Sequence, residues 1–183
     1  MNNDTLAWIW QQPDWPHFHW QNEQCQPLLR NVRLKQGILL GKTGAICEEL
    51  TLETALDTAL TMERLFQWYQ WLFPSTEFSL YSLQVEQLRG EEPMRVVSGN
   101  IDKSTIHFEA PPRIQLEKEL KAFIHWFNQS RSDASLDPLL RAAICHFWFV
   151  TLHPFDNDND NDNGNGNGHI TRALTDLVLA QDE

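Results

Sequence analysis

"DPLLRAAICHFWFVTLHPFDNDNDNDNGNGNGHITRAL", residues 137–174, contains two helical patterns joined by a stretch that follows neither. Asp137-Pro138 has the form of a helix start: a carboxylate able to accept from first-turn N–H groups, then a residue with no N–H to leave unpaired. Residues 139–152 are apolar nearly all round, which predicts a buried central helix ending beside His153-Pro154. Beyond the repeat, Ala173, Leu174, Leu177 and Val178 return to three- and four-residue spacing, and a second helix is predicted there. His153 would then sit at the negative end of the first helix, which suits a proton acceptor, although on position alone a plain capping role is the better reading. The Gly- and Asn-rich run into the second helix suits an anion, because glycines let N–H groups turn inward and a helix N-terminus adds partial positive charge. Arg172, three residues past His169, can reach the same anion.

Outward from that stretch the chain reads as mainly helical. At 183 residues with 42% hydrophobic content, eight Trp and ten Phe, it has the material for a packed core. A formal charge of −11 argues against nucleic acid as a partner, since phosphate backbones need a concentrated basic surface. No run reaches the ~18 apolar residues that a membrane helix needs, so no membrane partner is expected. The start "MNNDTLAWIW" has neither basic flank nor long apolar run, so no signal peptide is read. Cys25, Cys47 and Cys145 form no CxxC pair, and Cys145 lies in an apolar run as a reduced core thiol would; a cytoplasmic location is expected.

Residues 6–10 are read as a short strand, with Pro13 and Pro16 forcing turns, and the dense aromatics of this leader are expected to pack on the rest of the chain. Residues 27–39 and 48–73 are predicted helical, the second with Leu50, Leu56, Leu60, Leu65, Trp68, Trp71 and Leu72 inward and Pro74 as its stop. "GILLGKT", residues 37–43, imitates a phosphate loop but has one residue too few between its glycines, so Gly41 is read as a helix end. "MRVVSGN" and "STIHFEA" are β-prone runs around a short turn, a hairpin ended by Pro111-Pro112. Leu116, Leu120, Phe123, Ile124 and Phe127 predict a helix over 114–128. The Asp/Asn repeat fails the helix-loop-helix calcium pattern: a start at Asn159 puts Gly164 at position six but Ile170 at position twelve. Disorder is expected over 156–165.

Taken together, "HPF" at 153–155, the recurrent Gly-Asn-Gly ending at Gly166, Asn167 and Gly168, and "ITR" ending on Arg172 resemble the motif of the Fic (Fido) family of AMP transferases. "WIWQQPDWPHFHW" looks like the leader module of many bacterial members, and "MRVVSGNIDKSTIHFEAPP" looks like their hairpin flap. The resemblance implies a mainly α, Fic-type helical bundle with a small β-hairpin flap, divided into a leader over 1–50 and a shortened Fic-like domain over 51–183 with its motif loop at 153–172. It implies transfer of AMP from ATP, with Mg²⁺, to a Ser, Thr or Tyr hydroxyl of a target protein. His153 would be the base, Phe155 the anchor, Gly166, Asn167 and Gly168 the phosphate cradle, and Ile106, His107 and Phe108 the docking edge of the flap. Arg172 fills the second Arg position, and His169 stands where the family has the first. Asp158 and Asp162 are the nearest acids for the metal, with Asp162 preferred beside the first Gly-Asn pair. The family spaces its His and final Arg by eleven positions, whereas Arg172 follows His153 by nineteen. The alternative is a non-catalytic Fic-fold module that binds proteins and has lost the phosphate site.

Overall fold

The computed structural model describes residues 7–21, 23–26, 28–29, 58–72, 88–100, 103–156 and 166–181. These form a 3-10 turn at Ile9–Gln11, helix α1 (Met62–Leu72), a hairpin of β1 (Arg95–Asn100) and β2 (Lys103–Glu109), and helices α2 (Arg113–Ser130), α3 (Pro138–Leu152) and α4 (Gly166–Ala180). Helix α3 is the hub: it packs against α2 and, most extensively, against α4, whose other neighbour is α1. The mainly helical class with one antiparallel hairpin is as the sequence predicts.

Each element has a local cause. Helix α2 buries Leu116, Leu120, Phe123 and Phe127, the inward stripe of its three- and four-residue period. Asp137 caps α3 by accepting from the Leu139 N–H at 3.0 Å, with Pro138 in the first turn. Thr61 does the same for α1, its Oγ1 accepting from the Arg64 N–H at 3.2 Å. Fully buried Phe123, Phe149, Leu152, Leu174 and Cys145 meet in one core, and burial raises the Cys145 thiol far above the ordinary thiol range, so it acts as a small apolar group.

Three sequence expectations are corrected. Residues 9–11 turn in a 3-10 coil instead of continuing a strand, closed by the Gln11 N–H donating to Trp8 O. Residues 58–61 lie outside the helix predicted from residue 48, because Asn128 holds Leu60 in an extended link: its Oδ1 accepts from Leu60 N at 2.8 Å and its Nδ2 donates to Leu60 O at 2.9 Å. Helix α3 is not buried all round, since Phe147 and Val150 lie on an open face, 44% and 36% exposed. Of the helix expected at 27–39, residues 28 and 29 are described and are helical; the rest of it, the stretch 48–57 and the glycine-rich decoy at 37–43 fall outside the described residues.

The aromatic leader packs onto this frame. Trp15 lies edge-on against Trp148 (5.9 Å between centroids) and its Nε1 donates to Glu119 Oε2 at 3.0 Å, joining the leader to α2 and α3. Trp10 Nε1 donates to Glu109 O at 2.7 Å, and Trp8 meets Phe108 edge-on, so the leader also touches the root of the hairpin.

Replacing Asp137 with Ala should lower unfolding free energy by about 1 kcal/mol in urea denaturation, while Asp137→Asn stays within a few tenths of a kcal/mol of the wild type.

Candidate functional site

The motif residues meet at the corner where the chain leaves α3. His153 caps that helix in the left-handed conformation (φ 48°, ψ 59°), its N–H donating to Phe149 O at 3.2 Å. Among the described residues it is the one non-glycine with positive φ. For a side chain with a Cβ this conformation is unfavourable by about 1 kcal/mol and persists only where neighbours over-determine it.

Four supports hold the corner in place. Phe155, two residues on, is 1% exposed, stacks on Tyr69 of α1 at 4.5 Å, and meets Phe66 and Phe149. Asn167, in the first turn of α4, is wholly buried and grips the Phe155 backbone from both sides: its Oδ1 accepts from Phe155 N at 2.9 Å and its Nδ2 donates to Phe155 O at 2.8 Å. One amide therefore welds the corner after His153 to the beginning of α4. Tyr69 adds its hydroxyl, donating to Asp156 O at 3.1 Å.

A fourth support comes from residues 88–90, which run along the corner. Arg89 N donates to Pro154 O at 2.9 Å, Arg89 Nε to His153 O at 2.9 Å, and Gly90 N to Asp156 Oδ1 at 3.3 Å. The guanidinium also donates through Nη2 to Pro111 O, at the exit of the hairpin. Arg89 is 3% exposed. Burial lowers its pKa, partly opposed by the Asp156 carboxylate and reinforced by Arg113.

Gly166, Asn167 and Gly168 are the first three residues of α4, whose leading N–H groups lie along the positive end of the helix dipole. One turn further, Arg172 Nη2 donates to His169 Nδ1 at 2.9 Å. That contact requires the imidazole to be neutral on Nδ1. The half-buried His169 meets the requirement, because desolvation first and the Arg172 charge second lower its pKa. Arg172 itself is exposed. Ile106, His107 and Phe108 all lie on β2, and the pairing skips His107: Val96 faces Phe108 and Val97 faces Ile106, an irregularity that leaves His107 as an extra residue. Its Nε2 lies 2.5 Å from Ser98 Oγ, and Ile106 is 43% exposed. Asp158 and Asp162 lie outside the described residues, and among those described no three His, Cys, Asp or Glu side chains gather as a metal site.

Sequence reasoning missed the supports. Arg89, Tyr69 and the gripping side chain of Asn167 carry no local signal, since each finds its partner far along the chain. Asn167 lies in the expected anion cradle, and its side chain is committed to the backbone of Phe155.

Asn167→Ala should strip two hydrogen bonds from a buried peptide and reduce unfolding free energy by about 2–4 kcal/mol in urea titration. Asn167→Asp keeps the acceptor and loses the donor, and should be no more stable. The His169 contact adds a pH term. Because its folded pKa lies below the ordinary 6.5, the unfolded chain takes up the proton first on acidification, so stability present above that pH is lost as pH falls through it. In His169→Gln the decline in stability between about pH 7 and pH 5 should be shallower.

Comparison with known proteins agrees with this frame. The family model for a domain of unknown function (DUF4172) matches residues 8–64, and the Fic/DOC family model matches residues 59–179. No curated protein matches the chain. The crystal structure of a Fic domain-containing signaling protein from Bacteroides thetaiotaomicron superposes with a TM-score of 0.54 at 19% identity, covering 75% of this chain and 44% of that one. The chain thus spans less than half the length of that protein, and the likeness is one of fold. With the family match extending over the helices, hairpin and corner described above, the chain belongs to the Fic/DOC family.

Proposed function

We propose that the chain is a Fic-type transferase moving AMP from ATP to a Ser, Thr or Tyr hydroxyl of a protein target. The observation that carries this reading is the Asn167–Phe155 grip, which holds the first turn of α4 beside the corner that begins at His153. A proton acceptor and the positive pole of a helix are thereby held at one place, as attack of a hydroxyl on a phosphate requires.

His153 takes the proton of the target hydroxyl, whose oxygen bonds to the α-phosphorus of ATP as the bond to the β-phosphate breaks and pyrophosphate leaves. The backbone of Gly166, Asn167 and Gly168 and the guanidinium of Arg172 face the phosphates, where charge develops in the transition state. The exposed edge of β2 around Ile106 and His107 receives the target backbone, with Phe108 anchored on Trp8. The described residues alone do not form a Mg²⁺ site; in this reading Asp162 would hold the ion, which would offset charge on the phosphates. The leader, residues 1–50, braces the Fic-like part, residues 51–183, and the reading places the chain in the cytoplasm.

Two features support slow turnover. His169 supplies a neutral ring where a second guanidinium would grip phosphate, and Arg172 spends a donor on that ring. The eight additional residues between His153 and Arg172 lengthen the loop at little entropic expense. They loosen its aim, however, and a displacement of about 1 Å at a reacting group lowers rates about 100-fold. In the extreme, the phosphate site is lost and the chain serves as a protein-binding module.

Labelled ATP with Mg²⁺ should give weak self-modification, abolished by His153→Ala. Shortening the loop to an Asp-Gly-Asn-Gly-Arg core should raise labelling by about 10-fold or more. A wild-type signal that persists in His153→Ala overturns the assignment of the base. No labelling even after repair favours the binding module, for which recovery of one partner with and without His153 is the supporting result.

A further inference from the structure

We propose that Arg89 is a positioning residue that ties the root of the hairpin to the His153 corner, so that the docking edge and the base keep one mutual orientation. The proposal rests on the reading of His153 and β2 given above, and it adds a residue that no motif contains.

The geometry is specific to a guanidinium. Nε donates to the carbonyl of His153 at 2.9 Å, while Nη2 donates to the carbonyl of Pro111, two residues beyond the end of β2. The backbone of Arg89 adds a third bond, N–H to Pro154 O at 2.9 Å. A planar fork with donors in fixed directions can span two carbonyls at once; an ammonium is a point charge and cannot reproduce both directions. The site is also costly to leave half-filled. Arg89 is 3% exposed, so truncation strands two carbonyls away from water.

The two tethered points need outside support. His153 is left-handed, and turning its peptide plane would swing the ring with it; holding its carbonyl fixes that plane. A two-stranded hairpin has no sheet to set its direction and is marginal alone. At the same root Ala110 N donates to Met94 O at 2.9 Å and Arg95 pairs with Glu109 at 2.6 Å, closing the hairpin on itself, while among the described residues Trp10 Nε1 to Glu109 O and the Trp8–Phe108 edge contact tie it to the leader. Among these ties, Arg89 is the one that also reaches the motif corner.

The test uses the full chain with Arg89→Lys and Arg89→Gln, and Arg141→Lys as control. Arg141 is equally buried but bonds Ser130, Phe127 O and Gln181, away from the corner. By NMR, both Arg89 variants should displace the His153 ring resonances and speed amide exchange at Arg95 and Ala110 by about 10-fold, the equivalent of one hydrogen bond, while Phe123 and Phe149 stay protected. Arg141→Lys should leave the His153 ring and the hairpin unchanged. Uniform acceleration across the core, or none at the hairpin, overturns the proposal. If Arg89→Gln does not fold, Arg89→Lys decides alone. Should wild-type protein label with ATP, Arg89→Lys is expected to lower kcat about 10-fold with KM for ATP little changed, and an unchanged kcat overturns the proposal. A wild type that never labels counts against the transferase reading and leaves the NMR result to judge the tether.

Discussion

One buried amide organises the corner of this protein. Where the chain leaves α3 through a left-handed His153, the next peptides belong to no helix and no sheet, yet Phe155 is driven into the core by its ring. A buried peptide without partners is heavily penalised, and Asn167 supplies both a donor and an acceptor to the same residue. Asn is suited to this because its short side chain ends in the same amide group as the backbone it replaces. The device appears twice: Asn128 grips Leu60 at the entrance to α1 in the same paired way. Both grips fasten an irregular link to a helix, so the helices hold the links and the links set where the helices start.

Charge at the corner follows from the same need. The last carbonyls of α3 and those of the following turn present negative partial charge to the interior, and Arg89 answers them with a buried cation bonded to carbonyl oxygens. The Asp156 carboxylate, accepting from Gly90 N–H nearby, partly offsets the desolvation of that cation. At α4 the balance differs: the half-buried His169 stays neutral and leaves its lone pair to Arg172. The positive charge facing solvent there is therefore one guanidinium beside a neutral ring. In a chain of net charge −11, the positive features at this end among the described residues are the helix pole and the exposed Arg172.

What could be read in the sequence was what depends on near neighbours. The stripe Leu116, Leu120, Phe123, Phe127 repeats at helical spacing, and the Asp137-Pro138 start acts within its own first turn, so α2 and α3 were legible. The hairpin was legible because its strands flank a short turn. The 3-10 turn at Ile9–Gln11 was not, because β-prone Ile and Trp mask a contact made by Gln11 with Trp8. Nor was the open face of α3, since an apolar sequence does not say which of its residues find a partner: among the described residues Phe147 meets one ring, Phe18, edge-on at 6.1 Å, while Trp148 sits among several. The motif pointed to His153, Phe155 and Asn167, but the role of the Asn167 side chain and the very presence of Arg89 depend on contacts 12 and 64 positions away. Such contacts have no period to detect.

The leader belongs to this account through physics rather than motif. A two-stranded hairpin with Val96, Val97 and Ile106 largely open to solvent has too little buried surface to hold its own direction. Trp8 and Trp10 meet it at Phe108 and Glu109, and Arg89 bonds to Pro111 just beyond β2. Trp15 ties that leader to α2 through Glu119 and to α3 through Trp148, the helix that ends in His153.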